Sequence, residues 1–108
     1  MNFEKLAVEI GFDKEDYMEL IDLFINTTAS DIDKLKTAIK NGDFNAAEKA
    51  AHSIKGAASS LGLMEISDEA KKIEYAAKED PGTITALSAD ELEAILKRIR
   101  ENYKTYKG

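Results

Sequence analysis

The rest of the chain is organised around residues 46–62, AAEKAAHSIKGAASSLG, which contain the only histidine of the 108-residue sequence. Apolar residues recur along it at alternating steps of four and three, which is the spacing of the buried face of an amphipathic helix. They are Ala47, Ala51, Ile54, Ala58 and Leu61. A second set, at positions i, i+3, i+4 and i+7 from His52, is offset by one residue from the inward set at Ala51, so it is rotated by about 100° around the helix. Its members are His52, Lys55, Gly56 and Ser59. The stretch therefore predicts a core helix that carries His52 on its solvent-facing flank.

Before this helix, the sequence predicts a short helix and a long one. The short helix lies within residues 1–11 and is expected to cover one end of the core as a lid. The long helix follows an N-cap at Asp13, keeps one apolar face through about six turns, and stops at Asn41-Gly42. Asp43 then stands where it can cap the histidine-bearing helix.

After this helix, the sequence predicts two more. Gly62, which can adopt positive φ, ends the histidine-bearing helix. Apolar residues at helical spacing over positions 63–77 predict a third core helix, which the segment 79–82 interrupts. A loop then leads to a fourth core helix, whose start is predicted at a capping box of Ser88 and Glu91. No segment has a strand pattern.

Four amphipathic helices with short connections predict an all-α fold, an antiparallel up-down-up-down four-helix bundle with a short extra N-terminal helix. A single domain is expected over residues 1–108, with the core bundle at about 13–106. If the turn between the second and third core helices lies at Gly62 and Leu63, residues equally distant from it are neighbours. Position 52 is then opposite position 74, so Glu74 is expected beside His52.

Composition excludes several classes of protein. The net charge of −6 argues against a nucleic-acid binder, which needs concentrated positive charge. The absence of cysteine excludes a disulfide framework and a thiolate metal site. No apolar run is long enough for a membrane span, and the first ten residues mix charges with apolar positions, unlike a signal peptide. A cytoplasmic protein that contacts neither nucleic acid nor membrane is therefore expected.

A lone exposed histidine restricts the possible chemistry. A hydrolytic triad needs a partnered nucleophile, and catalytic zinc usually has three protein ligands. An imidazole can instead accept a phosphoryl group itself. Lys55, one turn from His52, would place a cation near the transferred group, and Gly56 would leave room beside the ring for a second protein. Glu74 would fix the tautomer by accepting a hydrogen bond from Nδ1.

Residues 51–62, AHSIKGAASSLG, resemble the signature of histidine-containing phosphotransfer (HPt) domains. That signature is Ala-His, two residues, Lys-Gly, five residues and Gly. The matching positions are Ala51, His52, Lys55, Gly56 and Gly62. The similarity extends over about residues 15 to 105, because the family is likewise a four-helix bundle with its histidine exposed on the second core helix.

The resemblance implies a role for each site residue. His52 would carry the phosphoryl group, Lys55 would lie near it, and Gly56 would admit the partner. Ser59 falls where small polar residues often line the docking surface. Glu74 matches a position on the third core helix that bonds the histidine in some members, notably those of the chemotaxis kinase type.

The resemblance also implies partners, namely a receiver domain with its phosphorylated aspartate and a histidine kinase. Mg²⁺ would belong to the partner, so this chain is expected to hold no metal or other cofactor. The sequence lacks a Gly-rich phosphate loop and a nucleotide-binding α/β pattern, which predicts a phosphocarrier without autonomous kinase activity. A monomer that forms brief complexes is expected.

Two alternatives stay open at this point. The chain could be the phosphoacceptor domain excised from a larger hybrid or chemotaxis-type histidine kinase, which receives phosphate from ATP through a separate catalytic domain. It could also be a helical-bundle interaction module that binds a partner and transfers nothing. Gly56, in turn, could be a packing glycine rather than a means of access.

Overall fold

The computed structural model describes residues 1–107, so Gly108, the last residue of the predicted domain, lies outside the described residues. In that range it contains five α-helices and one 3₁₀ turn, and no strand. The elements are α1 (Phe3–Ile10), α2 (Lys14–Lys40), α3 (Phe44–Ser60), α4 (Met64–Glu79), the 3₁₀ turn (Pro81–Thr83) and α5 (Ala86–Lys107). The predicted all-α class is confirmed.

Helices α2 to α5 form the bundle, in which α3 packs between α2 and α4, and α5 packs against α2 and α4 on the opposite side. The short connections make consecutive helices antiparallel. The predicted inward residues of α3 are all less than a tenth exposed. Most of them are alanines, and because the distance between packed helices depends on the side chains at the contact, they allow close neighbours on both sides of α3.

Polar caps and a left-handed glycine define the ends of the central helices, as predicted. The side chain of Asp13 accepts a hydrogen bond from the backbone of Asp16, and that of Asp43 accepts one from the backbone of Ala46. Gly62 has a φ of 75°, a conformation that a residue with a Cβ rarely adopts. These features fix where α3 begins and ends, and hence the height of each of its residues in the bundle.

The predicted start of the last helix is wrong. α5 begins at Ala86, and Ser88 lies in its first turn rather than at the N-cap. The Oγ of Ser88 accepts a hydrogen bond from the backbone N–H of Thr85 at 3.4 Å. In a capping box the third residue of the helix accepts this bond from the N-cap residue, so Ser88 occupies the third helical position and Thr85 the N-cap. Ile84 is only 8% exposed, so its burial anchors the chain just before this earlier helix start.

The short helix α1 covers the end of the bundle at which α2 begins and α5 finishes. The ring of Phe3 is buried, and its centroid lies 6.3 Å from that of Tyr17 on α2 and 5.1 Å from that of Tyr106 on α5. The turn between α3 and α4 also contacts α1, since a Cβ at Gly62 would lie 3.5 Å from Cδ2 of Leu6. This end of the molecule is therefore closed.

Candidate functional site

His52 lies near the middle of α3, and its side chain is 67% exposed. The two residues that flank it in the inward set, Ala51 and Ile54, are fully buried, so the packing of α3 fixes the direction in which the imidazole leaves the helix. The imidazole is therefore held in direction where it leaves α3, and its outer side is open to solvent.

Glu74 of α4 lies beside this ring. Its Oε2 is 2.5 Å from Nδ1 of His52, although 22 residues separate the two in the chain. The register expected from the turn between α3 and α4 placed position 74 opposite position 52, and the structure has this arrangement. The carboxylate is only 19% exposed, so it approaches the ring from the protein side.

Lys55 binds the other oxygen of the same carboxylate. Its Nζ is 2.6 Å from Oε1 of Glu74. The hydrogen bond from Lys55 is the main reason that the pKa of Glu74 is lowered from its ordinary value of 4.5; desolvation opposes the shift, and the hydrogen bond from His52 adds to it. Glu74 is therefore ionised at neutral pH.

The ionised state of Glu74 determines the direction of its hydrogen bond with the imidazole. A carboxylate can only accept, so Nδ1 of His52 carries the proton and donates it. In a neutral imidazole one ring nitrogen is protonated and the other has a free lone pair. In that neutral form the lone pair of His52 is on Nε2.

The pairing of Lys55 with Glu74 was not anticipated from the sequence, which suggested only that the lysine lies near the transferred group. Its side chain is 31% exposed and is held against α4, while its backbone carbonyl accepts a hydrogen bond from Ser67 at 3.3 Å. The register contained the missing signal, because it places position 55 opposite position 71, less than one turn from 74.

Gly56 lies one turn beyond His52, and the fold does not require a glycine there. A Cβ at this position would meet no atom within 4 Å, and its backbone has no positive φ. This finding contradicts the packing interpretation and leaves open space beside the ring. Ser59 is exposed on the same side of α3, one turn further on.

The surface in front of the ring is an open depression lined by Glu48, Lys49, His52 and Glu74. Over residues 1–107, no three His, Asp or Glu side chains are grouped so that they could hold a metal ion. In the same range, no helix has both the length and the apolar character that crossing a membrane requires. The imidazole therefore lies at an open surface rather than in an enclosed cavity.

The family model described as the Hpt domain matches residues 19–102. This match covers more than half of the 108 residues, and the chain belongs to the Hpt domain family. Comparisons with curated proteins and with solved structures gave no match. Hpt domains are phosphocarrier modules that take part in histidine phosphotransfer in phosphorelays, where they interact with histidine kinases and receiver domains.

Proposed function

We propose that His52 accepts a phosphoryl group and passes it to, or receives it from, the aspartate of a receiver domain. The observation that carries this proposal is the state of the ring. Its side chain is 67% exposed, and its Nδ1 is bound to an ionised carboxylate. In the neutral imidazole this bond leaves the lone pair on Nε2, from which the ring can attack phosphorus.

The transfer from an aspartyl phosphate is a single displacement. The lone pair of Nε2 forms the new N–P bond while the P–O bond to the aspartate breaks, and the electron pair of that bond leaves with the carboxylate. The proton on Nδ1 stays in place, and the positive charge that develops on the ring is balanced by Glu74, to which Nδ1 is already bonded. The reverse displacement returns the group to a receiver.

Lys55 and Glu74 have different roles in this proposal. Glu74 orients the ring and holds the tautomer. Lys55 keeps Glu74 ionised, and as a cation one turn from His52 it stabilises the oxygens of the transferred group. Both interactions are in place in the free protein, so this part of the site is organised before the partner arrives.

Gly56 and Ser59 are proposed to form the approach to the nucleophile. A folded partner must bring its phosphorylated aspartate within bonding distance of Nε2, so a bulky neighbour on α3 would block it. The space beside Gly56 and the small side chain of Ser59 fit that need.

The partner is proposed to supply Mg²⁺ and any catalytic apparatus of its own. This chain then acts as a phosphocarrier without autonomous kinase activity and with no cofactor, a cytoplasmic monomer that meets its partners briefly. Within residues 1–107 the site consists of a nucleophile, a carboxylate and a lysine, which suits a carrier.

The test is to mix the purified protein with phosphorylated receiver domains and to follow labelled phosphate. We expect the parent to acquire label that is stable in alkali and lost in acid, as an N–P bond is, and we expect His52→Gln to acquire none. Circular dichroism of the variant checks that the bundle is folded. Equal labelling of the variant and the parent would show that His52 is not the acceptor, and binding without any labelling would favour a pure interaction module.

A further inference from the structure

We propose that three lysines around the site, Lys49, Lys71 and Lys78, form a docking surface for the anionic face of the partner that carries the phosphoryl group. The proposal rests on the proposed function and extends it, because it says how the partner is recognised before any transfer. We call these three residues the lysine ring.

The position of the ring follows from the side of α4 that faces α3. Glu74 of α4 contacts His52, and Ser67 of α4 donates to the backbone carbonyl of Lys55, so the stripe of α4 that contains 67 and 74 lies against α3. Residues three or four apart on a helix share a stripe. An exposed side chain at this spacing from Glu74 therefore belongs to the same edge of the bundle.

Lys71 and Lys78 have this spacing, three residues before Glu74 and four after it, and both are exposed. On α3, Lys49 precedes His52 by three residues, is exposed, and lines the open depression together with His52 and Glu74. Each lysine is thus about one helical turn from a residue of the His52–Glu74 pair, which corresponds to roughly 5–6 Å between Cβ atoms.

The local charge on these two stripes is opposite to that of the whole chain. Among the nearby carboxylates, Glu74 is matched by its bond with Lys55. The three lysines of the ring then face Glu48 and Asp68, which lies three residues before Lys71, in a protein with a net charge of −6. Positive charge is therefore concentrated on the edge of the bundle that bears the nucleophile.

Two other carboxylates of α4 are already paired elsewhere. Glu65 pairs with Arg98 of α5, and Glu69 pairs with Lys72 on α4 itself. No residue of the lysine ring has an ion-pair partner within 4 Å in the described part of the chain. The ring is consequently free to meet negative charge on another molecule.

The partner of the proposed function brings such charge. A phosphoryl group carries nearly two negative charges at neutral pH, and each lysine of the ring is about one helical turn from a residue of the His52–Glu74 pair. The Debye length is about 8–10 Å at physiological salt, so the three lysines attract negative charge on the partner surface that covers this pair. Charges at this distance mainly raise the rate of association, and added salt weakens them.

The experiment compares association and chemistry in the same variant. Lys71→Glu/Lys78→Glu is mixed with a receiver domain with which the parent exchanges phosphate, and the association rate constant is measured by stopped flow at low and high salt. We expect about a tenfold loss at 50 mM salt and less than a twofold loss at 500 mM. Lys97→Glu/Arg100→Glu on α5, which changes the net charge equally, is expected to stay within twofold of the parent at both salt concentrations.

Phosphoramidate separates docking from chemistry. This small donor transfers its phosphoryl group directly to imidazole and releases ammonia, so it needs no protein surface. We expect the parent and Lys71→Glu/Lys78→Glu to be labelled by it at rates within twofold of each other. Failure of the parent to be labelled by either donor would overturn the proposed function itself. If the parent is labelled normally but Lys71→Glu/Lys78→Glu and Lys97→Glu/Arg100→Glu associate with the receiver at equal rates, the proposed function stands and the lysine ring alone is overturned.

Discussion

The carboxylate of Glu74 bridges His52 and Lys55, because its Oε2 is bonded to the imidazole and its Oε1 to the ammonium group. A single, partly buried carboxylate of α4 therefore contacts both His52 and Lys55 of α3. The consequences for tautomer, charge and access can be tested separately.

Removal of Glu74 is expected to change the tautomer of His52. In Glu74→Ala, Nδ1 loses its acceptor, so the proton can move to Nε2, and the rate of phosphotransfer should fall by about 10- to 100-fold. Glu74→Gln keeps an acceptor oxygen and should recover part of the rate. ¹⁵N NMR of the imidazole measures the tautomer directly. A lower rate with an unchanged tautomer would show that Glu74 acts through charge alone.

The same carboxylate predicts a pH dependence of stability. The pKa of Glu74 is lower in the folded protein than its ordinary value of 4.5, mainly because of Lys55. Its contribution to stability is therefore present above pH 4.5 and is lost as the pH falls through the folded-state pKa. The difference in unfolding free energy between the parent and Glu74→Gln should shrink in acid, as measured by urea unfolding from pH 7 to pH 3. Glu101→Gln, at an exposed position on α5, is the control and should show a flatter difference.

Substitution of Gly56 should separate stability from function. Since a Cβ there meets nothing, Gly56→Ala should stabilise α3 by about 1 kcal/mol in thermal unfolding. Gly56→Gln should fold normally and yet slow transfer from a receiver by more than about tenfold, because a long side chain next to the nucleophile disturbs the near-attack geometry. Ser59→Gln, one turn further away, is expected to have the smaller effect. Unfolding of Gly56→Ala would instead indicate a structural need for glycine.

A hydrogen bond under the lid predicts an alkaline transition. The buried hydroxyl of Tyr17 donates to the backbone carbonyl of Leu61 at 2.6 Å, and burial raises the pKa of Tyr17 from 10 to about 12. This contribution is complete below pH 10 and is lost as the pH rises through 12. Tyr17→Phe should cost about 1 kcal/mol at pH 7. Its deficit relative to the parent should disappear between pH 10 and pH 12 in denaturant titrations, and a constant deficit would contradict the assignment.

Much of this arrangement could be predicted because it depends on spacing along a helix. The caps at Asp13 and Asp43, the stop at Gly62 and the inward face of α3 follow from local rules, and the structure agrees with each of them. The register of α3 against α4 also follows from one short turn, which is why Glu74 could be placed opposite His52. The start of α5 could not be placed in this way, since the burial of Ile84 outweighed a good local capping motif.

Local periodicity was enough to establish the number and order of the helices and the outward direction of His52, because the 3.6-residue repeat defines the faces of a helix before any packing occurs. The way in which the polar groups are shared depends instead on how the helices pack. Lys55 bonds Glu74 across the contact between α3 and α4 rather than extending into solvent, and no neighbouring element fills the space beside Gly56. Both features depend on the distance between packed helices. That distance is set by the side chains that meet in the core, and it cannot be read from one helix alone.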